Sequence, residues 1–394
     1  MAHVNTSVLL IVSALLVNIS CTHTARLDAT SPTAIAPEPL SDVHTPTPRA
    51  MTSAVWTGGA MIIWGGVGAG NDRLNKSEGA MYFPEEKLWK AIPKAEITSR
   101  FHHSAVWTGK YLAVWGGVDS RSNDRLGSGW LYDPDTQLWR PMSSDQAPSP
   151  RSGHSAVWTG SHMIVWGGES DHGVLQDGAM YEPKTDRWVA LSADDAPIAR
   201  SFHSVNWLGS KMLVWGGIGA SGNLSSGALF DPTTNTWSAM ASVGAPSERI
   251  SHSAVWTGTS LIVWGGRQDS EHFLNDGASY DPLTDLWKPI PVTETTPSPR
   301  ELHSTVWTDQ EMVIWGGQND EKTFAGGAAF NPATNSWRKL KDTGKSVARS
   351  QHAAIWTGSE MLVFGGRSKK GKLVVKKIGI EIPLNLAAEN IEAH

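Results

Sequence analysis

RSGHSAVWTGSHMIVWGG, residues 151–168, decides the fold, because the chain writes this stretch seven times. Each copy opens on an arginine, at Arg49, Arg100, Arg151, Arg200, Arg249, Arg300 and Arg349, with spacings of 51, 51, 49, 49, 51 and 49. Three residues on stands His103, His154, His203, His252, His303 or His352; the first copy has Thr52 there. A tryptophan follows in every copy, at Trp56, Trp107, Trp158, Trp207, Trp256, Trp307 and Trp356. An apolar run then closes on an aromatic and two glycines, as in Met163 to Gly168. After a loop comes a run such as GAMYEP (178–183), and a last tryptophan recurs at Trp89, Trp139, Trp188, Trp237, Trp287 and Trp337.

Each unit thus holds four short apolar stretches separated by turn signals. That is strand length, and none has the 3.6 period of a helix. The second stretch, as in Met212-Leu213-Val214-Trp215, is apolar on both faces and needs cover on both. Sheets stacked face to face around an axis supply it. The third ends in a turn such as Asp231-Pro232-Thr233-Thr234-Asn235, with Asp first and Pro second as a type I turn prefers. The expectation is an all-β, seven-bladed propeller with four antiparallel strands per blade. Such repeats pack only on neighbours, so 394 residues need not divide into separate cores. Arg-x-x-His, the Gly-Gly doublet, the Tyr-Asp-Pro turn and the closing Trp resemble the kelch repeat, over residues 37–386. The resemblance implies the fold; it leaves function open, since kelch propellers serve as enzymes, adaptors and adhesins.

The seventh copy keeps Arg349, His352, Trp356 and Gly365-Gly366, but it lacks the Asp-Pro turn and a closing Trp. Spacing from Phe364 places its third strand at Gly379–Ile382. Pro37-Glu38-Pro39-Leu40 stands before Arg49 as Trp139-Arg140-Pro141-Met142 stands before Arg151. Residues 37–40 are therefore expected to close the last blade as its outer strand; the alternative is that Leu384–Leu386 folds back to do so. Residues 387–394 read as a tail.

Composition is globular, with 40% apolar residues, 18% charged and a net charge of −5, which argues against a dominant nucleic-acid partner. Twenty Trp beside five Tyr match a per-blade signal. The lone Cys21 excludes an intrachain disulfide and a cysteine-based zinc site. An apolar run, Val8 to Val17, is too short to span a bilayer and suits a signal-peptide core, although residues 1–20 hold no Lys or Arg. Asn18-Ile19-Ser20-Cys21 resembles a bacterial lipobox, with Asn18 where that motif has Leu. The resemblance implies acylation at Cys21 of an exported envelope lipoprotein; plain cleavage and secretion is the alternative. Residues 1–21 are then leader and 22–36 a flexible tether, the membrane being met only through the lipid.

A residue present in every blade serves what every blade needs, so the Arg and His rings are expected to be structural rather than metal-binding or catalytic. No cofactor is expected. A site resembling galactose oxidase's copper centre is excluded, because the one cysteine precedes the repeats. An epimerase- or mutarotase-like enzyme remains the alternative, with Arg200, Glu248 and His203 as candidates for general acid–base work. A ligand site belongs where the copies disagree, in the loops after each Gly-Gly. The candidates there are Asp72, Arg73, Asp124 and Arg125, from a shared Asn-Asp-Arg-Leu, with His172, Arg267, Glu271 and His272. Lys369, Lys370, Lys372, Lys376 and Lys377 form a basic run in the last loop, read as a solvated edge. The reading is a monomeric binding protein that offers this variable face to a protein or glycan.

Overall fold

The third repeat shows how the pattern folds. Its strands Ser155–Trp158, Met163–Trp166, Gly178–Glu182 and Arg187–Ala190 pair antiparallel in chain order. The register sets Ser155 against Trp166, Met163 against Tyr181 and Tyr181 against Trp188. The computed structural model describes residues 45–68, 78–94, 96–340, 347–374 and 378–381. Within them six repeats form four-stranded sheets of this kind, and no α-helix occurs. The expected leader, Cys21, the tether, residues 37–40, Leu384–Leu386 and the tail lie outside the described residues.

The seventh repeat departs from the expected four strands. Among the described residues it has three, Ala353–Trp356, Glu360–Phe364 and Ile378–Glu381. Its third strand also sits two residues from the expected register. Ile380 faces Met361, where the sixth repeat sets Phe330 against Met312, so Gly379 faces Leu362 and not Phe364. A shift of two keeps each side chain on its face, and it seats Ile380 in the core at 5% exposure.

Inner strands of successive repeats touch one another in order, and the innermost strand of the seventh lies between those of the sixth and the first. The cores are interblade layers. One joins Val157, Ile164 and Trp166 of repeat 3 to Val205, Met212 and Phe230 of repeat 4. Another joins Ile355, Leu362 and Phe364 of repeat 7 to Met61, Ile63 and Trp89 of repeat 1. Loops after the second strand meet the segments leading into each Arg, as where Ser120 N–H donates to Ser99 carbonyl at 2.9 Å. These two loop sets share the face called the loop face below; the Thr-Gly and Asp-Pro turns lie on the opposite, turn face.

Candidate functional site

Each repeat's arginine is buried and bonded to its own backbone. Arg200 donates from Nε to Ile198 carbonyl (3.0 Å), from Nη1 to the carbonyls of Gly216 (3.1 Å) and Ser226 (2.6 Å), and from Nη2 to Ser226 Oγ (3.0 Å). One planar fork thereby ties three loop carbonyls that no strand pairs. Burial lowers the guanidinium of Arg200 to about 10 and of Arg300 to about 9. Five of the six histidines bond the serine of the preceding blade: His154 Nε2 lies 2.9 Å from Ser104 Oγ, and its ring stands edge-on to Trp115 at 5.1 Å. His252 lacks the serine bond but keeps the ring contact, with Trp215 at 5.1 Å. Burial first, then the Arg151 guanidinium, pushes the His154 imidazole down to about 3, so it is neutral at ordinary pH. The first glycine of the doublet leaves room for this ring: a Cβ on Gly167 would meet His203 Cε1 at 2.8 Å, and its φ is +66°.

The structure does not gather the proposed ligand residues into one place. Asp72 and Arg73 lie outside the described residues. Arg125 reaches from repeat 2 to Glu169 (2.8 Å) and Asp171 (2.6 Å) of repeat 3; His172 follows Asp171 and is exposed, as is Asp124. In repeat 5, His272 Nδ1 pairs with Asp269 Oδ2 at 2.7 Å and Glu271 is exposed. The Glu271 and His272 contacts hold the Asp269 carboxyl down at about 2. Arg200 and His203 are buried in the framework bonds above and in a contact to Ser155, whereas Glu248 sits at the surface on Gln268. These three therefore do not converge on one reacting centre. Among the described residues no group of three or more His, Cys, Asp or Glu is placed to hold a metal.

Arg267 turns inward instead. Its Nε stands 3.0 Å from Glu301 Oε2 across the repeat 5–6 boundary, both side chains being largely buried. Neither atom has an aligned hydrogen bond, so the contact is an ion pair off the N–H axis. Glu301 Oε1 accepts from Gln318 Nε2 (3.2 Å), whose Oε1 accepts from Ser350 Oγ (2.8 Å). Burial raises the Glu301 carboxyl, and Arg267 opposes the rise.

Beside this network lies a ring that sequence reasoning missed. The second residue after each Arg has positive φ: Met51 (56°), His102 (53°), Gly153 (60°), Phe202 (54°), Ser251 (54°), Leu302 (54°) and Gln351 (57°). Backbone bonds run between them, Met51 N to Gln351 carbonyl (3.1 Å) and Phe202 N to Gly153 carbonyl (2.9 Å). The side chains converge over the axis at the loop face. His102 Nε2 is 3.2 Å from Met51 Sδ, and its ring is 5.8 Å from Phe202, over Gly153, whose Cβ would strike that phenyl at 2.9 Å. The available signal was a slot inside an otherwise constant Arg-x-x-His that holds a different residue in every copy. Between repeats 4 and 5 the same face opens into a cavity of about 450 Å³ lined by Ser221, Asn223, Leu224, Glu248, Gln268 and Asp269.

The described KLHDC2/KLHL20/DRC7 Kelch-repeats domain matches residues 102–246 and again 229–377, together well over half of the chain. The chain is a kelch-repeat protein. Host cell factor of Drosophila melanogaster is 43% identical over 58 residues, 14% of this kelch chain and 4% of that protein. Adagio-like protein 3 of Oryza sativa subsp. japonica is 28% identical over 132 residues, 32% and 21% respectively. The F-box/kelch-repeat protein At1g51550 of Arabidopsis thaliana is 26% identical over 140 residues, 33% and 29%. The kelch chain thus spans less than a third of each of these relatives.

Proposed function

We propose that this kelch propeller is a protein-interaction module whose partner docks on the loop face, over the axial ring and the adjoining cavity. The observation that carries the reading is that ring. Seven left-handed backbone positions recur with seven different side chains, and strained backbone persists where the surroundings over-determine it, commonly at ligand sites. Kelch propellers generally serve as protein-interaction modules, which supports a binding module over an enzyme. A test compares the full chain with Phe202→Ala and Glu271→Lys on the loop face and Leu283→Asp on the turn face, each used as bait. Proteins retained by wild type and by Leu283→Asp, and lost from both loop-face variants, support the reading; loss from the turn variant alone refutes it.

Two further expectations belong here as proposals. The leader exports the chain and Cys21 is acylated; metabolic labelling with a palmitate analogue would mark wild type and miss Cys21→Ser. The seventh sheet is the seventh blade, completed by residues 37–40. Its support is Trp89. Outer-strand tryptophans donate Nε1 to a carbonyl four residues past the outer-strand tryptophan of the preceding repeat: Trp139 to Pro93 (3.0 Å), Trp188 to Ser143 (2.9 Å), Trp237 to Ser192 (3.1 Å), Trp287 to Ala241 (2.9 Å) and Trp337 to Pro291 (2.9 Å). Trp89 Nε1 is buried with no acceptor among the described residues. The equivalent carbonyl for it belongs to Ser41, four residues past Pro37.

A further inference from the structure

The tryptophans divide into sets that differ in exposure. Those ending the second strands are buried, as Trp166 is at 0%, and outer-strand ones such as Trp188, at 3%, lie in the same interblade layers. The inner-strand set, Trp56 and its six counterparts, is partly exposed in every repeat. Each ends its strand just ahead of a Thr-Gly, Leu-Gly or Thr-Asp turn, so all stand on the turn face around the axis. Each packs one side on an interblade layer, as Trp158 does on the layer between repeats 2 and 3. Among the described residues none of these indoles has a hydrogen bond, an aromatic neighbour or a cation on its ring, and only Trp356 has its Nε1 buried.

Their surroundings decide what could cover them. The turn tips are small and polar, with Gly58, Gly109, Gly160, Gly209, Gly258 and Gly358 all facing open space. The indoles are therefore recessed behind low rims. No large apolar side chain projects from those tips, and the exposed Leu138, Leu283 and Leu286 stand at the outer turns of two repeats only, so a bilayer meets no continuous apolar surface around the axis. A proline-rich peptide needs aromatic rings set side by side to grip successive turns, and here each indole lacks a ring partner. A pyranose does fit: it has an apolar C–H face for the indole and hydroxyls for the free N–H. The residue before the second strand changes from repeat to repeat, and Tyr111, His162 and Lys211 add partly exposed polar neighbours there, whereas Glu311 is buried against Arg338. Tyr111 packs on the same interblade layer as Trp158.

We propose that the turn face of this propeller binds a polysaccharide, one sugar ring against each inner-strand indole. The subsites are shallow and individually weak, and a long chain engages several of them, so affinity grows by effective concentration. This surface is separate from the protein-docking loop face, and the proposal stands whether or not that docking occurs.

The test uses the full chain on an array of hexose, hexosamine and deoxyhexose oligomers, with acrylamide quenching of indole fluorescence as the solution readout. An oligomer of six units that binds at least tenfold more tightly than its monosaccharide and shields the accessible indoles from quenching is the expected result. Trp158→Phe with Trp207→Phe, which keeps most of the packing and removes two N–H donors, should weaken that binding several-fold, while Glu271→Lys on the loop face leaves it unchanged. If the double variant does not fold, the shielding measured on wild type decides alone. The proposal is overturned if no oligomer binds at millimolar concentration, if binding is lost with Glu271→Lys instead, or if a proline-rich peptide shields the indoles and no glycan does.

Discussion

Removing residues 37–44 tests whether the chain's own beginning closes the ring. In the six complete blades the residue three past the outer-strand tryptophan is apolar and turned to the core, as with Ile92 (4% exposed), Met142 (6%) and Ile290 (6%). Its N–H donates to the first residue of the third strand, Met142 to Gly129 at 2.9 Å and Ile290 to Gly277 at 3.1 Å. Leu40 holds that place in the amino-terminal segment. Burying a leucine side chain stabilises by about 1.5–3 kcal/mol, and a buried N–H left without its acceptor, as Trp89 would be, costs about 1–3 kcal/mol. Deletion should therefore destabilise by about 3–6 kcal/mol. With an unfolding entropy of ~2 cal/mol/K per residue over a ring of roughly 340 residues, that lowers the thermal midpoint by about 4–8 °C. Differential scanning calorimetry reads the shift, and Leu40→Asp should reproduce about half of it. A midpoint unchanged within about a degree, together with a fall when residues 383–394 are removed instead, would show that the carboxy-terminal segment supplies the strand.

Acid should loosen the ring, because burial holds His154 and His252 at about 3 and the other four framework histidines well below 6.5. A depressed folded-state pKa gives stability that is whole above pH ~6.5 and falls below it, by up to ~1.4 kcal/mol per pH unit for each histidine. The urea midpoint should be flat from pH 8 to 7 and drop steeply between pH 6.5 and 5; a midpoint constant down to pH 4.5 contradicts the burial argument. Arg200→Met strands the carbonyls of Ile198 and Gly216, leaves that of Ser226 with the Gly216 N–H alone, and should cost about 3 kcal/mol or more in urea unfolding; a loss under about 1 kcal/mol would show that water replaces the guanidinium. Arg267→Met leaves Glu301 buried without its cation and should destabilise by about 3–5 kcal/mol, with Arg267→Met plus Glu301→Leu recovering most of it; no recovery would mean the pair is not coupled.

Much of the fold was legible because its cues are local and repeated: a turn needs its Asp-Pro, a strand its apolar run, and a doublet of glycines marks each close approach. The last strand was placed two residues off for the converse reason. A lysine-rich loop replaces the usual spacing there, and Gly379 offered a false anchor, while the two registers bury alternate isoleucines equally well by pattern. The candidate site was less legible. Exposure of a tryptophan depends on which layer its strand joins, so Trp56, Trp64 and Trp89 look alike in sequence yet differ in the fold. Positive φ at Met51 or Leu302 leaves no mark in residue type, since neither is a residue that favours it.

Three exceptions in the repeats become one observation once the topology is known. Thr52 replaces the histidine of the first copy, Ala353 the serine of the seventh, and Phe364 the tryptophan that such a histidine stands against. Elsewhere that histidine meets the second-strand tryptophan of the preceding repeat and, His252 excepted, bonds its serine, as His203 does with Trp166 at 5.2 Å and Ser155 at 2.7 Å. All three members of the set change together, and they meet only if repeat 7 packs on repeat 1. Gly366 N–H donates to Arg49 carbonyl at 2.8 Å, just as Gly66 donates to Arg100 at 2.9 Å. Without the histidine, a serine at 353 would have lost its partner, and alanine removes that need. Thr52 instead turns its hydroxyl to Trp64 carbonyl at 2.9 Å, within its own blade. The boundary between the chain's two ends is thus the one junction at which the histidine, the serine and the tryptophan are all replaced, and an added strand from residues 37–40 would supply contacts that this set gives elsewhere.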